Sequence, residues 1–187
     1  MNAKPYPKYK ASGVEWLGNV PEHWVSKKLG YEARLQGGFA FKSEIFDSEG
    51  VPVIQMNSIK SGRLTLEQVK RIAESETVRE FALTDEDILM GMTGSLDNIA
   101  FVSKDDLPAQ LNQRVGRFLP SVNLIRRFLW FLIQSTPFRE QIYLSASGTA
   151  QLNISSSQIE ALMFCHAPIS EQVAIADFLD ERTALRW

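Results

Sequence analysis

The side chains best suited to chemistry are amides, hydroxyls and a guanidinium, and they fall in two tight groups. One is Leu111-Asn112-Gln113-Arg114-Val115. The other is Ser147-Gly148-Thr149-Ala150-Gln151-Leu152-Asn153-Ile154-Ser155. Arg pairs two hydrogen bonds with a guanine edge, and Asn or Gln does the same with adenine. Hydroxyls and backbone N–H groups beside glycine suit phosphate oxygens. Neither group supplies a nucleophile with its base or a set of metal ligands.

Enzymatic patterns are missing elsewhere too. A carboxylate-lysine nuclease needs an acid two positions before a lysine, so that both serve one metal-activated water. None of the lysines has Asp or Glu at that spacing. A Pro-Pro-aromatic loop for amine methylation is absent, and Gly91-Met92-Thr93-Gly94 is too short for a phosphate cradle. His23 and His166 lie far apart and near no cysteine pair, which argues against a zinc site. Cys165 and His166 are adjacent, and on a strand they would point to opposite faces. The expectation is a buried structural cysteine beside an edge histidine, with no catalytic residue, metal or cofactor.

Composition is that of an ordinary globular chain: 187 residues, 44% hydrophobic and 22% charged. A lone cysteine rules out an internal disulfide framework and fits a reducing compartment. The lysine-, proline- and tyrosine-rich start is no secretory signal, and Phe128 to Ile133 is too short to span a bilayer. The expected location is the cytoplasm, without a membrane. Net charge is -2, but it is unevenly spread. Residues 1–28, 51–73 and 104–146 are locally basic, whereas 74–87 and 160–187 are acidic. Screening over about 8–10 Å means that a local positive face suffices to attract phosphate. On charge alone, a solvated face is the favoured explanation of the same runs.

The elements that must hold these groups follow from pattern. Residues 1–28 read as an irregular arm pinned by Trp16, Leu17 and Trp24. Val51 to Met56, Ile88 to Met90, Ile99 to Val102 and Val115 to Leu119 read as short strands, and 75–81 as a short helix. After Asn123, an expected N-cap, Leu124, Phe128, Phe131 and Leu132 recur at helical spacing. Thr136-Pro137 opens a second helix. Ser155 and Gln158 have capping-box spacing. Ser170 is expected to cap a C-terminal helix carrying Val173, Ala176, Phe178, Leu179 and Leu185. Strands followed by helices make the fold class α+β.

Several blocks in order resemble the target-recognition domain of type I restriction-modification specificity subunits. They are Trp16-Leu17-Gly18 with Val20-Pro21-Glu22-His23-Trp24; Gly38-Phe39-Ala40-Phe41-Lys42-Ser43; and Val51 to Ile59. Asp87-Ile88-Leu89-Met90 with Thr93-Gly94-Ser95 follows, then the two polar groups, and finally Pro168, Glu171-Gln172 and Ile175 to Asp180. The likeness covers nearly the whole chain. The sequence departs from the family at Glu86, where glycine is frequent, and near Asp97, where a second glycine is frequent. The chain stops shortly after Asp180, so the reading is of an N-terminal half.

The resemblance implies a β-rich, twisted, double-β-helix-like recognition domain over 1–167 and the start of a spacer helix over 168–187. It implies a module that reads one half of a bipartite duplex DNA target and directs separate methyltransferase and restriction subunits. The expected DNA contacts are Lys42, Ser43, Asn57, Lys60, Arg63, Thr93, Ser95, Arg114, Gln151 and Asn153. Expected partner contacts are Glu171, Ile175, Phe178 and Leu179, with a homodimer through the C-terminal helix as an option. Competing readings stand beside these. The chain could act mainly as a dimerising or methyltransferase-docking protein, or, lacking any motif for it, as an enzyme. Asn112 and Asn153 could serve the backbone at a bend instead of DNA. Of Phe39 and Phe41, one should be core and the other could flank the duplex. Phe128, Trp130 and Phe131 read as core.

Overall fold

The computed structural model describes residues 5–183, apart from the Trp16 side chain; Leu185 lies outside the described residues. The first strands are β1 (Tyr9–Ala11), β2 (Asn19–Pro21), β3 (Val25–Lys28) and β4 (Ala33–Gly37). They are followed by β5 (Val51–Ile54), β6 (Ile59–Lys60), β7 (Arg63–Leu64), β8 (Arg71–Ile72), β9 (Ile88–Gly91), β10 (Ile99–Phe101), β11 (Gln110–Leu111) and β12 (Val115–Pro120). Helices α1 (Arg126–Gln134), α2 (Thr136–Ser145) and α3 (Ser156–Glu160) come next, then β13 (Met163–His166) and α4 (Ile169–Thr183). The fold is α+β.

The central sheet has the order β10-β9-β12-β4, all antiparallel. Its inner residues, among them Leu35, Ile88, Met90 and Phe118, share one core with Phe128, Leu129, Trp130 and Ile133 of α1 and Phe138 and Ile142 of α2. Phe128, Trp130 and Phe131 are therefore packing residues, as read from their spacing. A second sheet, β11-β5-β8, pairs β11 with β5 in parallel and covers a smaller core of Ile54, Leu89, Leu111 and Val115.

The described part of the arm, 5–28, is not irregular. β1 and β2 pair as Tyr9↔Pro21, and β3 pairs with β13, so that Val25 meets His166. The partner of β3 lies at the other end of the chain, beyond the reach of local pattern. Cys165 on β13 is buried, while His166, half-buried on the opposite side, contacts the Asn123 carbonyl at 2.8 Å. The short helix expected at 75–81 is instead two 3-10 turns, Glu74–Glu76 and Arg79–Phe81. Thr77 between them is extended, and the Val78 N–H donates to Gln110 Oε1 at 2.9 Å, which pulls the chain off a helical path.

Capping was legible where it is local. Ser155 Oγ accepts from the Gln158 N–H while Gln158 Oε1 accepts from the Ser155 N–H, the reciprocal box that starts α3. The start of α1 differs. Asn123 does not cap it; the helix opens at Arg126, and the orphan Ile125 N–H donates to Gln172 Oε1 from α4. Gln172 is fully buried, and its amide nitrogen donates to the Asn123 and Ala167 carbonyls. α4 begins at Ile169, one residue before Ser170.

The departures from the family pattern have clear local consequences. Glu86 has φ +66, a left-handed conformation in which a β-carbon is strained and glycine is not. Asp97 accepts from Arg139 Nε at 2.7 Å and from the Tyr143 hydroxyl at 2.7 Å, so it clamps α2 to the turn before β10.

Candidate functional site

One end of the central sheet gathers the chain's polar loops. β4 leaves the sheet at Gly37, β12 enters it at Val115, and β9 leaves it at Gly91. The segments beyond these points are laced together by backbone hydrogen bonds. Gly38 N–H donates to Val115 O (3.1 Å), Phe39 N–H to Leu111 O (2.9 Å) and Gln113 N–H to Phe39 O (3.0 Å). Asn112 N–H donates to Ile54 O (3.2 Å), which brings in the Gln55–Ser58 turn after β5. Met92 N–H donates to Arg114 O (3.0 Å), Gly94 N–H to Leu152 O (2.8 Å) and Ile154 N–H to Met92 O (3.1 Å).

Two glycines make this lacing possible. A β-carbon on Gly38 would stand 2.3 Å from the Asn112 carbonyl oxygen, so only glycine allows the two loops to meet. Gly148 has φ +107, and a β-carbon there would strike the Gln151 carbonyl at 2.3 Å. The second polar group folds back on itself at that turn: Ser147 and Asn153 exchange backbone bonds of 2.9 and 2.8 Å.

The loops that converge here span 38–43, 55–58, 92–95, 112–114 and 147–154. They carry Lys42 and Arg114 and no carboxylate at all. Lys42, Ser43, Asn57, Ser95, Gln113, Arg114 and Gln151 are exposed. Elsewhere the chain holds 22 acidic residues. Within these bounds the side chains of this rim are donors and acceptors with two cations, and Glu44, in the same turn as Ser43, and Asp97, two residues beyond Ser95, border them.

Not every expected site residue sits on that rim in the same way. Thr93 is buried, and its hydroxyl donates to Asn153 Oδ1 at 3.0 Å. Asn153 Nδ2 donates to the Gln151 carbonyl at 2.9 Å. Both side chains are spent on holding the loop. Asn112, also buried, lies under the rim. Lys60 and Arg63 face each other across the β6–β7 hairpin, which is attached to β10 through Phe101 N–H and Gly62 O at 3.1 Å. This is the far end of β10 from the rim. Arg63 lines a hollow of about 800 Å³ beside Asp85, Glu86 and Asp105.

Two residues outside the expected set prove important. Gln113 is an exposed amide between the two lacing loops. Its neighbours in the polar group were the available signal. Arg117, buried on β12, binds Gln36 Oε1 (2.6 Å), the Ala82 and Glu80 carbonyls (2.8 and 3.0 Å) and Asp87 Oδ2 (3.1 Å). It ties the 79–82 turn to the sheet beneath the rim, with every bond charge-assisted. A lone arginine in an apolar strand carries no local sign of that role.

The partner set is divided. Glu171 accepts from the Tyr6 hydroxyl (2.6 Å) and Trp24 Nε1 (2.9 Å) and pairs with His23 (2.5 Å), so it holds the N-terminal arm. Burial raises the Glu171 pKa, but these three hydrogen bonds outweigh it and leave the carboxyl below its ordinary value. Ile175 is half-buried against the main core. Leu179 is half-buried, and Phe178 is exposed beneath the Arg182 guanidinium at 4.8 Å. Arg127 of α1 pairs with Asp177 (2.8 Å) and with Asp180. One side of α4 is therefore occupied by its own domain.

Among the described residues, no three His, Cys, Asp or Glu side chains are grouped to hold a metal, and no helix is long and apolar enough to cross a membrane.

A sheet whose looped end presents exposed amides, hydroxyls and two cations has the make-up of a recognition surface, and comparison with known proteins names the class. Residues 21–185 match the type I restriction modification DNA specificity domain, and the chain belongs to that family. It is 31% identical to the EcoAI specificity subunit of Escherichia coli over 95% of its own length and 31% of the relative's. It is 28% identical to the MjaVIII specificity subunit of Methanocaldococcus jannaschii over 87% of its length and 40% of the relative's. The chain thus spans 31% to 40% of the length of these curated relatives. The HsdS subunit from Thermoanaerobacter tengcongensis shares the fold at a TM-score of 0.65 and 18% identity, over 87% of this chain and 38% of that one. A chain from a type I R-M system matches at a TM-score of 0.70 and 16% identity, over 88% and 39%.

Proposed function

We propose that this chain is one target-recognition domain of a type I restriction-modification system. It reads one half of a bipartite duplex DNA target, has no catalysis of its own, and directs separate methyltransferase and restriction subunits in the cytoplasm. Residues 1–167 form the reader, and 168–187 begin the spacer helix.

The exposed amides and two cations gathered on the laced loops support this reading most strongly. Phosphates repel an acidic surface and reward a positive one by releasing counterions. Amides and a guanidinium held on a laced scaffold can meet base edges in fixed register. Lys42 and Ser43 position the backbone, while Arg114, Gln113, Gln151 and Asn57 face bases. Ser95 serves phosphate. Thr93 and Asn153 act through the loop they shape. Lys60 and Arg63 lie on a separate hairpin, where they reach only the flanking backbone of a long duplex. Assembly with another subunit or a second copy would use the outer side of α4, where Ile169, Val173 and Phe178 remain exposed.

The test is duplex binding across a salt series, followed by mapping of methylated sites in cells that carry the chain with its methyltransferase. Affinity should fall steeply as salt rises, and mapping should return one defined half-sequence. No binding at low salt with the methyltransferase present would overturn the proposal.

A further inference from the structure

The rim holds one feature that a purely polar reader does not need. Phe39 is 40% exposed, although it sits in the middle of the lacing. Its N–H and carbonyl are both bonded to the 111–113 segment, so its backbone cannot swing away. Its ring is braced from behind by Phe41, at 5.0 Å between centroids, and by Phe81, at 5.5 Å. Phe41 is buried in the core of Val51, Val53 and Ile72, and Phe81 packs against the second core. The exposed ring is thus a rigid apolar ledge fixed on two cores, with Gln113 and Arg114 in the turn laced to it. A free aromatic on a mobile loop would lose rotamer freedom on binding; this one has already lost it.

We infer that Phe39 is a further recognition residue, which packs its exposed face on an apolar surface of the duplex. This rests on the reading of the chain as a DNA-binding module. The apolar surfaces of duplex DNA are the thymine methyl in the major groove and the face of a deoxyribose. A phenylalanine ring is suited to the methyl. Its contribution is uncharged, so it adds affinity without adding to the salt dependence that Lys42 and Arg114 supply.

The probe is a duplex enriched from a random-sequence pool by the full chain with its methyltransferase subunit. Phe39→Ala should bind it about five- to tenfold more weakly, the scale expected from leaving a partly buried aromatic face in water. Its salt slope should match that of the unaltered chain. Phe39→Leu should fall between the two, and its melting temperature guards against a folding defect in the alanine variant. Replacing thymine by uracil removes only the methyl. If that weakens the unaltered chain but not Phe39→Ala, the partner is the methyl; if it weakens neither, the partner is the sugar. Unchanged affinity of both variants, while Arg114→Ala binds more weakly, would overturn this inference and leave the DNA-binding reading intact. Failure of the unaltered chain to bind any duplex at low salt would overturn both.

Discussion

Thr93 and Asn153, sixty residues apart in the chain, share a 3.0 Å hydrogen bond beneath the loop that carries Gln151. The bond is buried on the Thr93 side and is backed by the Gly94–Leu152 and Ile154–Met92 backbone bonds. It makes the second polar group part of the same platform as the first. Thr93→Val keeps the shape and removes the donor. The expected loss is about 1 kcal/mol of stability, the usual size for one buried hydrogen bond. Proteolytic cleavage within 147–151 should become faster, and selectivity among duplexes should drop more than overall affinity. Urea denaturation, limited proteolysis and competition binding measure the three.

Arg117 should be the costliest single change beneath the rim. Arg117→Met leaves the buried Asp87 with the Thr84 N–H, at 2.8 Å, and Arg126, at 3.5 Å, and removes a charged donor from Gln36 and from the Ala82 and Glu80 carbonyls. Breaking a buried pair in this way costs about 3–5 kcal/mol. The urea midpoint should fall accordingly, and Asp87→Asn in the same chain should restore part of the loss.

Arg114 and Arg63 separate the rim from the far hairpin. Arg114→Ala should lower the slope of log affinity against log salt by about one. Arg63→Ala, in a hollow lined by Asp85, Glu86, Asp105 and Asp106, should leave selectivity unchanged on any duplex and the slope unchanged on a duplex too short to reach the hairpin. Equal effects of the two would refute the assignment of the rim as the contact face.

Glu86→Gly should stabilise the chain. The left-handed backbone strains any residue with a β-carbon by about 1–2 kcal/mol, and the extra freedom of glycine in the unfolded chain returns part of that. A net gain of about 0.5–1 kcal/mol in thermal or urea unfolding is expected. The Arg126 bond is to the Glu86 carbonyl and survives the change.

The arm latch at Glu171 should be sensitive to acid and alkali. The carboxyl's folded pKa lies below its unfolded value, so its contribution is present above the unfolded value and is lost as pH falls through the folded one. Tyr6 behaves in the opposite sense: burial, then the bond to Glu171, pushes its pKa up to about 12, so its contribution is complete below the ordinary tyrosine range and fades as pH rises towards 12. Glu171→Gln should release the arm at neutral pH. Hydrogen exchange over residues 6–24 should accelerate in the variant at pH 7 and in the unaltered chain only in acid or strong alkali.

Much of the architecture could be read without coordinates wherever its cause is local. Ser155 and Gln158 are three residues apart, and their capping box forms as expected. Val51, Ile88 and Val115 begin strands for reasons contained in their own neighbourhoods. The errors lie where distant residues intervene. Asn123 loses the capping role because Gln172 reaches the start of α1 from another helix. The 75–81 segment breaks into two turns because Gln110 captures the Val78 N–H. In the arm, β3 is a strand because β13 supplies its partner at the far end of the chain, while β1 and β2 pair with each other.

The same division governs the site. Residue type and local order were enough to mark the two polar groups, and the loops at 38–43, 55–58 and 92–95 stood out through the resemblance to the family. Sequence could not say which groups remain available. Thr93, Asn153 and Asn112 belong to the same polar segments as Ser95, Gln151 and Arg114, yet folding consumes the former and leaves the latter exposed. Arg63 and Arg114 are alike as residues but end at opposite ends of the sheet. Whether a donor faces solvent or a carbonyl depends on pairings between segments that are remote in the chain, and only three-dimensional packing sets those.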